Sequence, residues 1–527
     1  MKGRTRRTII NVPKESTLDS IADMMISRLA EVDVAVKENI PHEIEKEIRM
    51  RYKERLPFNI NAFDIGYILK DKYKYGNQLI IDKYTRDHLR VTNIDGEVHN
   101  MYKKRIYTKD FDYGTSWNVR TAVSVEYTLR DLRDYMTLDL DPKDDNYSLI
   151  REKKRCNIFI DDCILSFTSV TTTKSSRPIR PSLEIEIEFT DTPSVYGFNK
   201  CMQAVEEIIS KINSLQDRIS SWLNQTWTGK FFGSLPVTYR NRNLNDIKEG
   251  KYFIQVKLDG ERLIVIKHEE LIWTLSRSNG FKVEPNIEIS KKITSSYCID
   301  TEYAYDSKMD RYRYMAFDML AHGDYSYFDL DFSKRLEKLK SISRKENISI
   351  NPTVPIKDMM ELTDKIQRDI WLYNDRFITD GIILQHDGPY TIGRDSKVFK
   401  WKSPENVTVD YLVKSEGLYL NTEQGLVRFV EEGEDILHWY PDIGYQLEIK
   451  GGDLEIDMSN DDTNYYEDIY MDKIVEATYD PKISQWIILA VRMDKSTPNF
   501  VTTAMDALES LIENITIDQL FDELKSI

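Results

Sequence analysis

The residues best suited to chemistry stand in Val256-Lys257-Leu258-Asp259-Gly260-Glu261-Arg262. A primary amine held beside a tight turn can attack phosphorus, provided cationic neighbours or desolvation keep it unprotonated. Lys257 is therefore the candidate nucleophile and Arg262 the candidate grip on a ribose or phosphate. Asp259 starts on the same face as Lys257, because strand side chains alternate. A solvated, charged turn is the plainer alternative, and this segment alone does not choose between them. Tyr252-Phe253-Ile254-Gln255 and Leu263-Ile264-Val265-Ile266 read as strands on either side, and Asp-Gly between such runs signals a β-hairpin. Residues further downstream decide between the two. Arg277 comes after Trp273-Thr274-Leu275-Ser276, Glu302 lies in Ile299-Asp300-Thr301-Glu302-Tyr303, and Phe317 in Tyr314-Met315-Ala316-Phe317-Asp318-Met319. Asp380 precedes the apolar run Ile382-Ile383-Leu384, and Lys400 and Lys402 share a face of Val398-Phe399-Lys400-Trp401-Lys402. Several cations near Lys257 would favour its neutral amine and offset charge developing on a phosphoryl group.

A second set of chemistry-bearing residues lies earlier. Ser182-Leu183-Glu184-Ile185-Glu186-Ile187-Glu188-Phe189 alternates strictly, so as a strand it puts Glu184, Glu186 and Glu188 on one face. Glu43-Ile44-Glu45-Lys46-Glu47-Ile48-Arg49-Met50-Arg51 does the same for Glu43, Glu45 and Glu47 if it is a strand, the alternative being a solvated helix face. Like charges on one face repel unless something cationic sits among them. Two acidic strands make a site for a hard cation, since Mg²⁺ and Mn²⁺ prefer oxygen ligands. Between them lie basic strands, Asn118 to Glu126 with Arg120, and Arg151-Glu152-Lys153-Lys154-Arg155, followed by the hydroxyl-rich Phe167 to Thr171. Carboxylates for a metal facing Arg and Lys for phosphate oxygens are the ingredients of polyphosphate hydrolysis.

The elements that must position these groups can be read from composition and periodicity. At 527 residues the chain is too long for one core, and three or so domains are expected. The net charge of −15 argues against a broad non-specific nucleic-acid coat but leaves room for a local basic cleft. No apolar run is long enough to span a bilayer, and Met1-Lys2-Gly3-Arg4 leads into no apolar signal core. Cys156, Cys163, Cys201 and Cys298 lack metal or disulfide spacing, which points to a reducing compartment such as cytoplasm. Leu18 to Val34 has helical spacing, and 198–224 is the clearest helix, with Val205, Ile208, Ile212, Leu215, Ile219 and Trp222 on one face. Thr228 to Val237 reads as a linker. Beyond residue 405 five short strands are expected (Val407 to Lys414, Leu426 to Val430, Tyr445 to Lys450, Ile474 to Tyr479, Trp486 to Met493). An acidic loop, Asp453 to Asp468, interrupts them, and a terminal helix runs from Thr503 to Ser526.

The order Glu-x-Glu strand, basic strands with Arg-x-Lys-x-Arg, closing Glu-x-Glu-Phe strand resembles the triphosphate tunnel metalloenzymes. The resemblance is to RNA triphosphatase domains of poxvirus, asfarvirus and baculovirus capping enzymes. It implies an antiparallel β tunnel in which Glu45, Glu47, Glu186 and Glu188 hold Mg²⁺ or Mn²⁺, with Glu43 and Glu184 as neighbours that could shift the assignment by two. It also implies that Arg120, Arg151, Lys153 and Arg155 hold the RNA triphosphate.

The downstream set, Lys-x-Asp-Gly-x-Arg through Lys-x-Lys, resembles the covalent nucleotidyltransferases, meaning mRNA guanylyltransferases and ATP-dependent ligases. By that resemblance Lys257 forms the lysyl-N-nucleotide and Glu302 binds ribose. Phe317 stacks on the base, Asp380 assists the metal, Lys400 and Lys402 hold the α-phosphate, and Asp259, Arg277 and Arg262 complete the nucleotide site. Thr301 departs from the Asp-Gly-Glu of many relatives. The closing Arg492-Met493-Asp494-Lys495-Ser496-Thr497-Pro498-Asn499 resembles the guanylyltransferase motif that orients the β and γ phosphates, giving roles to Arg492, Asp494 and Lys495. The implied protein is α+β: a tunnel RNA triphosphatase domain (1–225), a guanylyltransferase domain of the ATP-grasp-like ligase type (226–404) and an OB-fold domain with a C-terminal helix (405–527). It would be a bifunctional mRNA 5′-capping enzyme acting on GTP and 5′-triphosphate RNA, without a membrane. RNA polymerase or a separate cap methyltransferase are the further partners implied, since no Gly-rich strand-turn-helix pattern follows residue 500. The location implied is the cytoplasm, or a host's cytoplasm or virion for a viral protein. The rivals are an ATP-dependent polynucleotide ligase with an N-terminal nucleic-acid-binding domain, and a non-enzymatic relative serving a transcription complex.

Overall fold

The computed structural model describes residues 18–31, 43–52, 61–84, 90–113, 116–128, 149–174, 177–277, 280–284, 295–346, 348–358, 376–414, 417–429, 450–451, 470–480, 485–493, 495 and 497–525. Two compact units emerge. Met1–Lys230, Leu271–Trp273 and Gly280–Ile287 form one, and Phe231–Glu270, Thr274–Asn279 and Glu288–Ile527 form the other. The two segments expected to separate at 404/405 therefore fall within a single unit. Among the described residues no helix is long and apolar enough to cross a membrane. All four cysteines are free and buried.

The first unit is a closed barrel of eight antiparallel strands, β1 (Glu43–Tyr52), β2 (Lys74–Tyr84), β3 (Arg90–Ile94), β4 (Glu97–Tyr113), β5 (Trp117–Thr128), β6 (Leu149–Ile160), β7 (Cys163–Lys174) and β8 (Arg177–Phe189). They run in the order β1-β5-β4-β3-β2-β6-β7-β8, and β8 returns to β1. Glu43 to Arg51 is thus a strand, because its alternation suits a sheet with one polar face. Register fixes that face around the whole ring. Glu47 lies opposite Ala122 and Glu188, Arg49 opposite Arg120 and Glu186, Lys103 opposite Glu126, and Asp82 opposite Arg151. Ion pairs that skip a strand, such as Arg155 on β6 with Glu186 on β8, place this face on the inside. The alternate residues Ile48, Met50, Val119, Val123, Val125, Leu165, Phe167, Ile185 and Ile187 are buried and apolar on the outside. The 3.6-residue stripe of the long helix needs such a surface. Among the described helices, α1 (Leu18–Glu31), α2 (Ala62–Ile68) and α3 (Val195–Leu223) pack against these strands. Ser194 caps α3 by accepting from the Gly197 N–H at 3.0 Å.

The second unit opens with β9 (Ser234–Thr238) and α4 (Leu244–Glu249). Leu235 to Val237, expected to be linker, is thus a strand, paired in parallel with Gly393 onward. Next along the chain come β10 (Tyr252–Leu258), β11 (Glu261–His268), β12 (Leu271–Ser276) and β13 (Gly280–Val283), of which Leu271–Trp273 and all of β13 belong to the first unit, then β14 (Tyr297–Asp306), β15 (Arg311–His322) and β16 (Tyr325–Ser326). Helix α5 (Phe332–Glu346) comes next, then β17 (Ser349–Ile350), β18 (Thr353–Pro355), β19 (Thr379–His386) and β20 (Gly393–Trp401). One sheet runs β18-β10-β19-β20-β9, and another carries β11-β14-β15-β16 in that order. The Asp-Gly turn therefore does not close a hairpin. At Asp259-Gly260 the chain crosses from one sheet to the other, so β10 pairs with β18 and β19 while β11 pairs with β12 and β14.

The last strands are β21 (Val409–Lys414), β22 (Gly417–Thr422), β23 (Gly425–Phe429), β24 (Lys450–Gly451), β25 (Ile474–Asp480) and β26 (Gln485–Val491), in the order β23-β22-β21-β25-β26-β24. One of them, β22, is not among the strands expected from sequence, and 453–468 lies outside the described residues. The terminal helix is two helices, α6 (Val501–Glu513) and α7 (Ile517–Lys525), separated where Asn514 adopts a left-handed φ of 46°. The break serves two cores. Ala504, Ala507 and Leu508 join Val409, Tyr411, Leu418 and Val475, whereas Leu520, Phe521 and Leu524 join Ile254, Ile382, Leu384, Phe399 and Trp401 beneath the β10 sheet.

Candidate functional site

Lys257 sits one residue before the end of β10, opposite Gly381 on β19, while Leu258 pairs with Thr379. Asp380 is the extra residue of this bulge, and a bulge re-aims side chains. Its carboxylate meets Lys257 Nζ at 2.6 Å through Oδ1 and Lys402 Nζ at 2.7 Å through Oδ2. Lys257 lies two residues after Gln255, which pairs with Ile383, which pairs with Lys400, so Lys257, Lys400 and Lys402 share one face. The other face of these strands carries Ile254, Ile382, Leu384, Phe399 and Trp401 into the core.

Two glycines make this crossing possible. A Cβ on Gly381, whose φ is +143°, would lie 2.0 Å from the Trp401 carbonyl oxygen, and one on Gly260 would lie 2.4 Å from that of Tyr303. Backbone in both places has no room to yield. Gly381→Ala is therefore expected to lower the unfolding free energy by about 1–3 kcal/mol or more, measured by denaturant titration. An unchanged midpoint would show that the bulge tolerates a side chain.

The electrostatics are set by burial and crowding. Burial, with Lys402 and Lys257 alongside, pushes the Lys400 amine down to about 8 against the pull of Asp380. Asp380 is lowered, because Lys257 and Lys402 outweigh its burial. Burial pushes Glu302 up to about 7 despite Lys257 and Arg262. Glu302 stands opposite Arg262 in the β11–β14 pairing.

Arg262, expected to grip a ribose or phosphate, is committed internally. It donates from Nε and Nη2 to the two oxygens of Asp300 at 3.0 and 2.5 Å, and from Nη1 to the Ser234 carbonyl. Its guanidinium lies 5.1 Å from the centroid of Phe317. Tyr390 also donates to Asp300, at 2.5 Å, and accepts from the Ser234 N–H at 2.8 Å. Asp300, Ser234 and Tyr390 are not singled out by sequence reasoning. Asp300 alone carries a signal there, as a carboxylate two residues before Glu302 on an apolar strand. Arg277 is exposed in the turn after β12 and near enough to Lys400 to depress it. Asp259 is exposed beyond the end of β10, its N–H donating to the Ile378 carbonyl at 2.9 Å. Arg492 and Lys495 are held on the carboxylate of Asp410, Arg492 at 3.3 Å and also 3.3 Å from Glu476. Asp494 lies outside the described residues.

Inside the barrel the expected bases pair with carboxylates. Arg120 meets Asp110 at 2.6 Å, Arg151 meets Glu184 at 2.5 Å, Arg155 meets Glu186 at 3.0 Å, and Lys153 meets Asp82. Arg49 stands between Glu47 and Glu186 at 3.0 and 2.9 Å, while Lys103 joins Glu45 and Glu126. Arg49, Lys103, Asp82 and Glu126 are not among the site residues expected from sequence. Arg49 does lie in the acidic strand, two residues past Glu47.

Glu45, Glu47, Glu186 and Glu188 present oxygen donors on one inward face, the ligand type a hard cation prefers. Glu47 is 1% exposed, and its Oε1 finds no hydrogen-bond donor despite the nearby Arg49. Burial raises Glu47, with Glu45 adding to it, and burial pushes Glu188 up to about 7, again with Glu45 adding. Glu186 is lowered, because Arg49, Arg155, Lys153 and Lys103 outweigh burial. Among the described residues, no three carboxylate, imidazole or thiol groups are already converged as a metal site.

Comparison with known proteins bears on the unit that holds Lys257. The family model for the mRNA capping enzyme catalytic domain matches residues 195–404, and that for the mRNA capping enzyme C-terminal domain matches 406–521. The chain is 25% identical over 360 residues to the mRNA-capping enzyme subunit alpha of Schizosaccharomyces pombe, covering 59% of this chain and 84% of that protein. It is 24% identical over 340 residues to the mRNA-capping enzyme of Caenorhabditis elegans, covering 59% of this chain but 51% of that protein. With that of Danio rerio it shares 23% identity over 376 residues, covering 67% of this chain and 58% of that protein. The chain thus spans only about half the length of the two animal relatives, and all three relatives are eukaryotic rather than of the viral type. The barrel strands precede the first family match. Lys257, Asp380, Lys400 and Lys402 converge within one of the two matched domains and Arg492 lies in the other. Residues 195–404 and 406–521 are thus, in that order, similar to the catalytic and C-terminal domains of mRNA capping enzymes.

Proposed function

We propose that the second unit moves GMP from GTP to an RNA 5′-diphosphate end through a phosphoramidate bond at Lys257. The observation that carries this reading is the Lys257–Asp380–Lys402 bridge with Lys400 beside it. Asp380 Oδ1, 2.6 Å from Lys257, holds and aims the amine, whose two departing protons pass to solvent as the new bond forms. The freed Nζ bonds to the α-phosphorus, the bond from that phosphorus to the bridging oxygen breaks, and pyrophosphate leaves. In the return step a β-phosphate oxygen of the RNA end bonds to the same phosphorus, and Lys257 Nζ leaves and regains its two protons from solvent. Lys400 and Lys402 offset charge on the phosphoryl oxygens. Glu302, with a pKa near 7, can both donate to and accept from ribose hydroxyls. Phe317 stacks on the base. Arg492 and Lys495, with Asp494, exchange Asp410 for the β and γ phosphates as the C-terminal strands close, which also excludes water. Labelled GTP should mark the full chain covalently. Marking by ATP alone would make it a polynucleotide ligase instead.

We infer that the barrel prepares the acceptor by removing the γ-phosphate of triphosphate-ended RNA. The support is the ring of inward Arg and Lys on the same interior face as the carboxylates Glu45, Glu47, Glu186 and Glu188. Glu45, Glu47, Glu186 and Glu188 would hold Mg²⁺ or Mn²⁺, which as a Lewis acid polarises the phosphoryl group. Arg120, Arg151, Lys153 and Arg155 would bind the phosphate chain by exchanging their present carboxylate partners. Glu45→Ala and Glu186→Ala are each expected to cut γ-phosphate release by about 100-fold or more, while covalent labelling by GTP stays intact. Undiminished release in both variants would mean that these strands do not line the hydrolytic site.

A further inference from the structure

Resting on the triphosphatase reading of the barrel, we propose that Phe159 is the platform on which the first base of the RNA stacks. Strand alternation puts Phe159 on the inner face of β6, in line with Arg151, Lys153, Arg155 and Asn157. Cys156, Ile158 and Ile160 are buried on the outer face instead. Phe159 stands one residue before the end of β6, at the rim of the barrel, and is 48% exposed. An aromatic side chain turned inward yet left half in the open adds little to any core.

Its neighbours leave room for a flat, uncharged group. On β2 the diagonal neighbour of Phe159 is Gly76, which pairs with Asn157. Among the described residues, a Cβ on Gly76 would meet only the Phe159 ring, at 3.9 Å. The ring therefore leans onto the barrel wall over the glycine and keeps its other face bare. Gly76 has no positive φ, so its backbone does not demand glycine. A glycine of this kind inside a strand marks the close approach of another group. The next inward positions are neutral: Ser166 donates to Asn157 at 2.8 Å, and Asn157 to Gln78 at 3.2 Å. A bare ring among amides suits a nucleobase. Lys74, exposed opposite Phe159, supplies a cation for the phosphodiester that follows.

Register ties the platform to the glutamates. Phe159 lies opposite Ile164, Ile164 opposite Glu188, and Glu188 opposite Glu47, all on the inner face. Two strand spacings, about 10 Å, separate Phe159 from Glu188. A nucleoside triphosphate spans a comparable distance from its terminal phosphorus to its base. With the γ-phosphate at the glutamates and the rest of the chain leading to the rim, the first base reaches Phe159. Half-buried Ile164 gives the interval an apolar floor. The platform thereby selects an RNA end over bare polyphosphate.

The test gives the full chain two substrates: a 5′-triphosphate RNA trinucleotide, and inorganic triphosphate, which has the phosphates but no base. Phe159→Ala should raise the KM for the trinucleotide about ten-fold, the scale of one lost base stack. The KM for inorganic triphosphate should stay where it was. Phe159→Trp should restore the trinucleotide KM. Gly76→Leu keeps Phe159 but fills the space beside its ring, and should raise the trinucleotide KM alone. A trinucleotide KM unchanged in both Phe159→Ala and Gly76→Leu overturns the proposal and leaves the ring as a cover for Gly76. So does a KM raised equally for both substrates, since the ring would then only shape the phosphate site. If the unaltered chain hydrolyses neither substrate, the triphosphatase reading itself fails, and the platform with it.

Discussion

Lys257→Ala, incubated with labelled GTP and run on a denaturing gel, should carry no covalent label. A fall of roughly 10⁴-fold or more is the scale seen when a covalent nucleophile is removed. No neighbour can substitute. Lys402 is held 2.7 Å from Asp380 on the far oxygen of that carboxylate, and Lys400 is set one strand further away. Lys257→Arg separates charge from chemistry. A guanidinium keeps the ion pair with Asp380 but offers no free lone pair for attack on phosphorus, since it stays protonated. Labelling should vanish in this variant too, while its denaturation midpoint stays close to that of the unaltered chain. Asp380→Asn tests the other half of the pair. It should slow labelling without abolishing it, because the amine then lacks the ion pair that aims it. Persistent label on the alanine variant would place the nucleotide on another residue and dismantle the mechanism.

The second large effect concerns stability. Asp300→Ala is expected to lower the unfolding free energy by about 3–5 kcal/mol, the usual result of leaving one charge of a buried pair without its partner. Asp300 is fully buried and takes two bonds from Arg262 and a third from Tyr390. Its loss strands the guanidinium and a phenol that also anchors Ser234 on β9. Asp300→Asn can still accept from Arg262 but supplies no charge, so it should fall between. The double variant Asp300→Leu with Arg262→Met should lose less than the sum of its parts, since two removed charges need no partners. Denaturant titration reads these three variants and the two single substitutions of the pair. Additive losses would mean that the two side chains act independently. Covalent labelling adds a second readout: Asp300→Asn should raise the KM for GTP more than it lowers kcat, if Arg262 positions Phe317 and Glu302 without touching the reacting phosphate.

How much was legible beforehand differs between the two units. Strict alternation exposed the acidic strand Ser182 to Phe189, because a period of two has only one structural meaning. The run from Glu43 was ambiguous, and the register settled it: Glu47 opposite Glu188 brings like charges together, and Arg49 and Lys103 between them make that tolerable. Arg49 and Lys103 belong to the site for reasons of closure, since only a barrel folds β4 and β8 around the same interior as β1. In the second unit the Asp-Gly turn misled for a physical reason. Its composition suits a hairpin, but Gly260 is needed to pass under the Tyr303 carbonyl as the chain changes sheets. Likewise the last helix was legible as periodicity, but not its division, which exists because its two halves bury different cores.

By itself the amino-acid order determined which side chains could act: an amine beside Asp-Gly, two lysines on one strand face, rows of glutamate and arginine on alternating strands. Their chemistry and spacing are local, and local properties survive being read in one dimension. Only the tertiary structure decided who meets whom. The bulge that turns Asp380 between Lys257 and Lys402, the capture of Arg262 by Asp300, and the holding of Arg492 on Asp410 are all contacts between distant segments. Such contacts depend on strand register and on burial in low-dielectric surroundings, and neither quantity is a property of any one stretch of chain.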